Sequence, residues 1–195
     1  MSALRLHTDE LAVRLPELCA GERVLLSGTI YTARDAAHKR LFALLDENRP
    51  LPFELKGAVI YYAGPTPGQQ GMAVGACGPT TSGRMDAFAP RLLGLGLAAM
   101  IGKGERSREV VDAIVRNGAC YFAAVGGAGA LIARCIETAE VIAFDDLGCE
   151  SVKRMEVRDL PLTVAIDSQG NDLFRQGRAE YQAIGGASSP RAILL

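Results

Sequence analysis

The sequence contains no tryptophan, and it has only two histidines among its 195 residues. Its five cysteines form no CxxC pair and lie far apart along the chain: Cys19, Cys77, Cys120, Cys135 and Cys149. Zinc and iron–sulfur sites are built from closely grouped cysteine and histidine ligands. We therefore expect no metal site made by this chain alone, and we interpret the cysteines as separate thiols in a reducing compartment.

Neither sign of charge dominates, because 21 Lys and Arg face 22 Asp and Glu, for a net charge of −1. Proteins that neutralise phosphates need a basic surface, so we expect no binding to nucleic acid. The apolar runs are short, and none approaches the ~20 residues of a membrane span. The first residues include acids where a signal peptide has its apolar core. These absences predict a soluble, cytoplasmic protein without a membrane contact.

Hydrophobic residues make up 49% of the chain, which is enough to fill the core of one ordinary domain. In the first half the periodicity predicts a strand at Val24–Tyr31, a helix from about Arg34 to Glu47, and strands at Ala58–Ala63 and Met72–Cys77. In the second half, helices and strands alternate. The alternation predicts an α/β domain with a mixed, partly parallel sheet.

The elements predicted for the second half begin and end at recognisable residues. Ser107 is a suitable helix N-cap, and Gly118 is a suitable residue just after a helix end. The predicted helices are Ala87–Leu95, one from Ser107 to Asn117 and one from Gly126 to about Glu137; the predicted strands are Ala98–Gly102, Cys120–Val125, Val141–Phe144 and Leu162–Asp167.

Three segments place polar groups beside predicted strand ends. They run from Thr32 to Arg40, from Gly78 to Asp86 and from Ile101 to Arg106. Each could be an ordinary solvated turn or helix cap. Loops at the carboxyl ends of strands in an α/β sheet tend to share one edge, however, and such edges bind ligands. Three cationic loops at one edge would form a small anion-binding cleft.

Two glycine-rich stretches resemble dinucleotide-binding motifs only loosely. The stretch from Gly94 to Ala99 leads into a strand rather than a helix, and the stretch from Gly126 to Gly129 has Ile132 at the third fingerprint position. We therefore do not predict a nucleotide site, although a helix N-terminus near the cleft could still face a carboxylate.

The segments SGTIYTARDAAHKRL, GPTTSGRMDAF and IGKGER, in this order, resemble the β subunit of class I fumarate hydratases. The same region forms the C-terminal half of single-chain members, and L-tartrate dehydratase β subunits are relatives. AVGGAGALIA and VAIDSQGNDLF also resemble that family, so the similarity extends from about Gly21 to Phe174. This resemblance implies a swivelling β/β/α domain, which we assign to residues 1–175, with residues 176–195 as a tail or partner-binding arm.

The resemblance also implies roles for individual residues. Arg34 matches an arginine that binds a substrate carboxylate, and Thr80 matches the proposed base. Arg84 and Lys103 match substrate-binding cations that also take part in catalysis. Asp35, His38 and Thr81 lie beside matched positions and are assigned supporting roles. The family further implies a 4Fe-4S cluster held by three cysteines of a partner α subunit, which leaves one iron open to substrate.

From this resemblance we expect the β subunit of an iron–sulfur hydro-lyase that interconverts fumarate and L-malate. It would act as part of a hetero-oligomer and would be active only with its α subunit. Fumarate is favoured over tartrate because the GPTTSGRMDAF and ARDAAHKR segments look closer to the fumarase versions. The alternatives are an L-tartrate dehydratase β subunit and a small-anion binding module without activity of its own.

Overall fold

The computed structural model describes residues 3–69 and 71–185 and contains seven strands and six α-helices in these ranges. The strands are β1 (Leu4–His7), β2 (Arg23–Thr32), β3 (Val59–Tyr61), β4 (Ala99–Gly102), β5 (Cys120–Ala123), β6 (Ile136–Ala143) and β7 (Val152–Ile166). The helices are α1 (Leu11–Arg14), α2 (Asp35–Asp46), α3 (Ala89–Gly94), α4 (Arg108–Asn117), α5 (Gly129–Ala133) and α6 (Leu173–Gly185).

All seven strands belong to one mixed sheet, in the order β1-β2-β3-β4-β5-β7-β6. Strands β1 to β5 run parallel to one another. The long strand β7 runs antiparallel and pairs with both β5 and β2. The hydrogen-bonded path β2-β3-β4-β5-β7 therefore returns to β2 and closes a ring. The predicted mixed α/β fold is confirmed, whereas the swivelling description and the domain assignment stay predictions.

Alternate residues of the central strands pack into two separate cores. Val59 and Tyr61 of β3 lie in the cluster that fills the ring, whereas Ile60 and Tyr62 pack on the other face against α2, α3 and α4. Side chains of a strand point alternately to opposite faces, and strands buried on both faces are almost continuously apolar. This explains why the sequence AVIYYA at positions 58–63 shows no polar alternation.

Several predicted elements are confirmed at nearly their predicted bounds. Helix α2 is one residue shorter than predicted at each end, β4 begins one residue later and ends as predicted, and β2 extends one residue further at each end. In α4, the Ser107 side chain accepts a hydrogen bond from the Val110 amide, and Gly118 adopts φ 61° in the left-handed region. The residue types alone predict both caps, because few residue types satisfy the unpaired backbone groups of a helix end at a low cost in free energy.

The segment Met72–Cys77 was predicted to be a strand, and this is wrong. It lies in a long loop in which the Thr66 amide donates to the Ala76 carbonyl and the Gly75 amide donates to the Thr66 carbonyl. Added side chains at Gly68 and Gly75 would collide with the loop's own backbone. The glycines therefore permit a compact, folded-back loop in place of a regular strand.

Two other predictions had the wrong lengths. The helix predicted from Gly126 to Glu137 is only the five residues of α5, and β6 begins directly afterwards at Ile136. Strand β7 has 15 residues rather than the six predicted. The prediction was too short because charged residues alternate with buried ones along the first half of the strand and Pro161 interrupts the apolar pattern.

Helix α6 crosses the boundary predicted after residue 175, since the chain stays helical to Gly185. Residues 186–195, the rest of the predicted tail or arm, lie outside the described residues. Within the described ranges, no helix combines the length and apolar character needed to cross a membrane.

Candidate functional site

The three polar loops predicted from the sequence meet at one edge of the sheet. Arg34 and Asp35 follow β2, and Lys103 follows β4. The segment Gly78–Thr81 returns to the same edge after the long loop that follows β3. Because β2, β3 and β4 are parallel, their carboxyl ends lie side by side. The structure thus brings the three loops together where open α/β sheets bind ligands.

Backbone hydrogen bonds fix Thr80 and Thr81 beside Lys103. The Thr80 amide donates to the Tyr62 carbonyl at 2.7 Å, directly after β3. Thr81 forms a parallel β-bridge with Lys103, and the Ser82 amide donates to the Lys103 carbonyl at 2.9 Å. The proposed base and the lysine are therefore carried by two adjacent backbone segments.

Arg84 links this pair of loops to the first one. It lies in the 3₁₀ turn Ser82–Met85, and its side chain is 50% exposed. Its Nε donates to Asp35 Oδ1 at 3.0 Å, and its Nη2 lies 2.8 Å from Asp35 Oδ2. Only the Nε contact is a hydrogen bond, because Asp35 Oδ2 has no hydrogen-bond partner among the described residues, and the second contact is an ion pair. Asp35, predicted to be a supporting residue, thus contacts Arg84 directly.

Arg34 is the least exposed of the three cations, with 20% of its side chain accessible. Its guanidinium packs over Gly64, where an added Cβ would lie 2.7 Å from Nη1. Its Nη2 lies 3.6 Å from Glu150 Oε1, and its buried Nε has no hydrogen-bond partner among the described residues. A buried donor without a partner is costly, so this nitrogen is a natural position for a ligand oxygen.

Lys103 is exposed and, among the described residues, has no carboxylate within 4.0 Å of its ammonium. Its side chain passes the loop after β5, because a Cβ built on Gly126 would lie 3.6 Å from Lys103 Cδ. The glycine-rich stretch that we set aside as a nucleotide motif therefore borders the same edge. Lys103 contributes a positive charge that no acid of the described ranges neutralises.

Sequence reasoning did not identify Glu150 as part of this site. Its carboxylate contacts Arg34 and also accepts a hydrogen bond from the Ala36 amide in the first turn of α2, at 3.2 Å. Glu150 lies more than a hundred positions along the chain from Arg34, in the turn between β6 and β7. No local pattern in the sequence indicates such a contact.

His38 supports the site from inside the core rather than from the ligand side. The imidazole is completely buried and packs against the Tyr62 and Phe88 rings. Its Nδ1 lies 2.9 Å from the Arg34 carbonyl, which can only accept a hydrogen bond. Burial lowers the pKa of His38 to about 4. The ring is therefore neutral at pH 7 and donates through Nδ1 to fix the backbone at Arg34.

Acidification should consequently destabilise the fold through His38. The unfolded chain binds a proton at His38 below about pH 6.5, but the folded chain binds it only near pH 4, so stability falls as the pH drops through this window. From pH 7 to pH 5 the expected loss is about 2 kcal/mol, from ~1.4 kcal/mol for each unit of pKa difference. Urea unfolding of His38→Gln should lack this component, whereas the control His7→Gln should retain it. Equal pH dependence in wild type and His38→Gln would contradict the prediction.

The described residues contain no group of three or more His, Cys, Asp or Glu side chains that could hold a metal ion. Cys77 and Cys120 are buried in the ring interior, and burial raises the pKa of Cys77 to about 12. Cys19 and Cys149 are exposed and lie far apart in the sequence. The thiols of this part of the chain do not fit a cluster that needs three converging thiolates.

The candidate site is an open surface rather than a closed cavity. Lys103, Thr81 and Arg84 are exposed. A neighbouring cleft of about 230 Å³ is lined by the loop after Gly64, by Cys149 and by Lys153, and none of the predicted site residues lines it. Charges stabilise a reaction far better when water is excluded. An enclosed site at this edge therefore needs a cover that these residues do not provide.

Comparison with known proteins gives one consistent result. A family model described as the fumarase C-terminus matches residues 1–177. Fumarate hydratase 2 of Leishmania major is 38% identical over 173 residues, which are 88% of this chain and 30% of that protein. The aerobic class I fumarate hydratase of Escherichia coli K12 is 38% identical over 169 residues, which are 86% of this chain and 31% of that protein.

A protein of Methanocaldococcus jannaschii with the name "Putative L(+)-tartrate dehydratase subunit beta" is 37% identical over 166 residues. The alignment covers 82% of this chain and 85% of that protein. The chain therefore spans less than a third of the two fumarate hydratases and most of the Methanocaldococcus protein.

Proposed function

Because this chain belongs to the fumarase C-terminus family, we propose that it is the β subunit of a hydro-lyase that interconverts fumarate and L-malate. The observation that carries the proposal is the meeting of Arg34, Arg84 and Lys103, with Thr80, at one sheet edge. Their loops are joined by backbone bonds and by the Arg84–Asp35 pair. The fumarate hydratases of Leishmania major and Escherichia coli K12 contain the matching region as less than a third of their length.

Three cations suit the charge that develops in this reaction. Removing the C3 proton of malate adds a second negative charge beside a carboxylate that is already negative. The transition state therefore approaches an enediolate dianion. Fixed positive charges around that group stabilise the transition state more than the ground state. Arg34 would bind the other carboxylate through its fork of N–H donors, while Lys103 and Arg84 would face the developing charge.

Thr80 is the proposed base because it matches the base position of the resembled family, and backbone contacts fix its place between Tyr62 and the Lys103 segment. A threonine hydroxyl is a very weak base unless neighbouring cations stabilise its alkoxide. Lys103 and Arg84 would therefore act twice, on the base and on the substrate. The side chain of Thr80 is half-buried, so only part of it faces solvent.

The partner in this proposal is an α subunit that carries a 4Fe-4S cluster and covers the open edge. The cluster would supply the Lewis acid for the departing hydroxyl group. Two features of this chain support such a division: its thiols do not converge, and its cations lie on an uncovered surface. The active form would be a hetero-oligomer, and the isolated β subunit would be inactive.

A second candidate is the β subunit of an L-tartrate dehydratase. The specific observation in its favour is the Methanocaldococcus protein, which is named as a putative subunit of this kind and is 37% identical over 166 residues. Tartrate differs from malate by one additional hydroxyl group, and all the cationic residues discussed above suit either dicarboxylate.

Co-expression with a candidate α subunit that carries three cluster cysteines tests the proposal. Purified and assayed without oxygen, the pair should hydrate fumarate, and its kcat/KM for malate dehydration should exceed that for L-tartrate. Each subunit alone should be inactive. Preference for L-tartrate would replace the first candidate by the second. A pair that forms but transforms neither dicarboxylate would contradict both.

A further inference from the structure

Arg106 is a buried cation that the proposed chemistry does not use. Its side chain has 0% exposure, although arginine is almost never fully buried without a partner. It stands three residues after Lys103, at the end of the loop that follows β4. Such a charge must be compensated by specific contacts, and these contacts connect it to the site.

The main partner of Arg106 is Asp86, which follows the turn that carries Arg84. Arg106 Nε donates to Asp86 Oδ1 at 2.6 Å. The other oxygen, Oδ2, accepts from the Ser107 amide, also at 2.6 Å. The Asp86 carboxylate therefore attaches the end of the Arg84 turn both to Arg106 and to the start of α4.

The rings of Tyr62 and Tyr121 both lie close to the Arg106 guanidinium. Its Cζ lies 5.3 Å from the Tyr62 ring centre and 5.0 Å from that of Tyr121. Cations at such distances from aromatic faces are stabilised, and a planar guanidinium also stacks on the rings. Tyr62 is the residue whose carbonyl binds the Thr80 amide.

The Tyr121 hydroxyl joins the two site loops a second time. It donates to the Gly104 carbonyl at 2.9 Å and accepts from Ser82 Oγ at 2.9 Å. Burial raises the pKa of Tyr121 to about 12, so the hydroxyl keeps its proton. Gly102 has no space for a side chain, because an added Cβ would lie 1.9 Å from Ser82 Oγ.

We propose that Arg106 and Asp86 are positioning residues that hold the Arg84 turn and the Lys103 loop in one fixed relation, through the contacts with Tyr62, Tyr121 and Ser82. This inference rests on the proposed function for what the two loops bind. Arg106 itself is buried beneath them and acts through Arg84 and Lys103. Lysine cannot replace it, because a single ammonium lacks both the flat stacking surface and the fork of donors.

The first test is a double-mutant cycle in the assembled enzyme. Arg106→Lys should lower kcat/KM for malate by about 10- to 100-fold, as expected when cations are displaced by about 1 Å. In a Lys103→Ala background the same substitution should lower it by a smaller factor than in wild type, because one of the two cations that it positions is absent. Arg108→Lys, an exposed neighbour paired with Asp112, is the matched control and should change nothing. Equal losses in both backgrounds would overturn the inference.

The second test needs no activity. In the chain without its partner, hydrogen exchange of the Ser82 amide, which donates to Lys103, should be about tenfold faster in Arg106→Lys than in wild type, while amides of β5 should be unchanged. Tyr121→Phe should increase the same exchange rate if Arg106→Lys does not fold. The inference would be overturned if the hydrogen-exchange rate of the Ser82 amide were unchanged in Tyr121→Phe and, provided that this variant folds, in Arg106→Lys. Inactivity of the wild-type pair would instead overturn the proposed function and leave this measurement decisive.

Discussion

Replacing Lys103 by alanine should lower kcat/KM for malate dehydration by on the order of 10²–10³-fold, a few kcal/mol of transition-state stabilisation. Lys103 is exposed and has no acid within ion-pair distance among the described residues, so its charge is available to the substrate. Once a partner excludes water, that charge should act at short range on the enediolate. Arg84→Ala should have an effect of similar size, although it also leaves Asp35 without its cation.

The comparison that isolates this effect is Lys39→Ala. Lys39 is also an exposed lysine, and it lies in α2 beyond the first turn. Both variants remove one positive charge from the surface, so a general electrostatic effect on substrate approach would appear in both. Steady-state rates of the assembled enzyme should fall only in Lys103→Ala. If Lys103→Ala keeps near-normal kcat/KM, the lysine does not belong to the site.

Replacing Thr80 by alanine should reduce kcat by about 10²–10⁴-fold, the range of a lost general base, with a smaller change in KM. The fold should survive, because the structural contact of Thr80 is made by its backbone amide to Tyr62. A loss confined to kcat would separate proton removal from carboxylate binding, which the proposal assigns to Arg34, Arg84 and Lys103.

Thr80→Ser is the matched variant because it keeps a hydroxyl at the same position. It should retain most of the activity that Thr80→Ala loses. A solvent-exchange assay that follows the C3 proton of malate measures the step directly. Wild-type kcat in Thr80→Ala would mean that another group removes the proton, and Thr81 would then be the next residue to test.

The sequence predicts local structure well where one residue type has a specific physical task. Ser107 and Gly118 bound α4 because of their capping properties, and the strands that follow α3 and α4 are short apolar runs buried on both faces. The meeting of the loops after β2 and β4 also follows from sequence, since parallel strands direct their carboxyl ends to one edge. The Gly78–Thr81 segment reaches the same edge by a different route, through the loop that was predicted to be a strand. The resemblance adds the identities of the residues on those loops.

The contacts that hold the site together could not be predicted in the same way. Glu150 reaches Arg34 from the distant turn before β7, and Asp86 binds Arg106 across two loops. Such pairs depend on tertiary packing, which single-sequence periodicity does not record. The Met72–Cys77 error has a related cause, because a short apolar run does not distinguish a strand from a folded loop.

The pairing of β7 with both β5 and β2 has a mechanical consequence. The loops after β2, β3, β4 and β5 all extend from the closed ring of strands. Each strand of this ring is hydrogen-bonded to a neighbour on both sides, so no strand can shift without breaking hydrogen bonds to both neighbours. In the proposed assembly, opening for substrate entry would therefore move this body as a unit relative to the α subunit. Its cations would therefore reach the substrate with their relative positions already fixed.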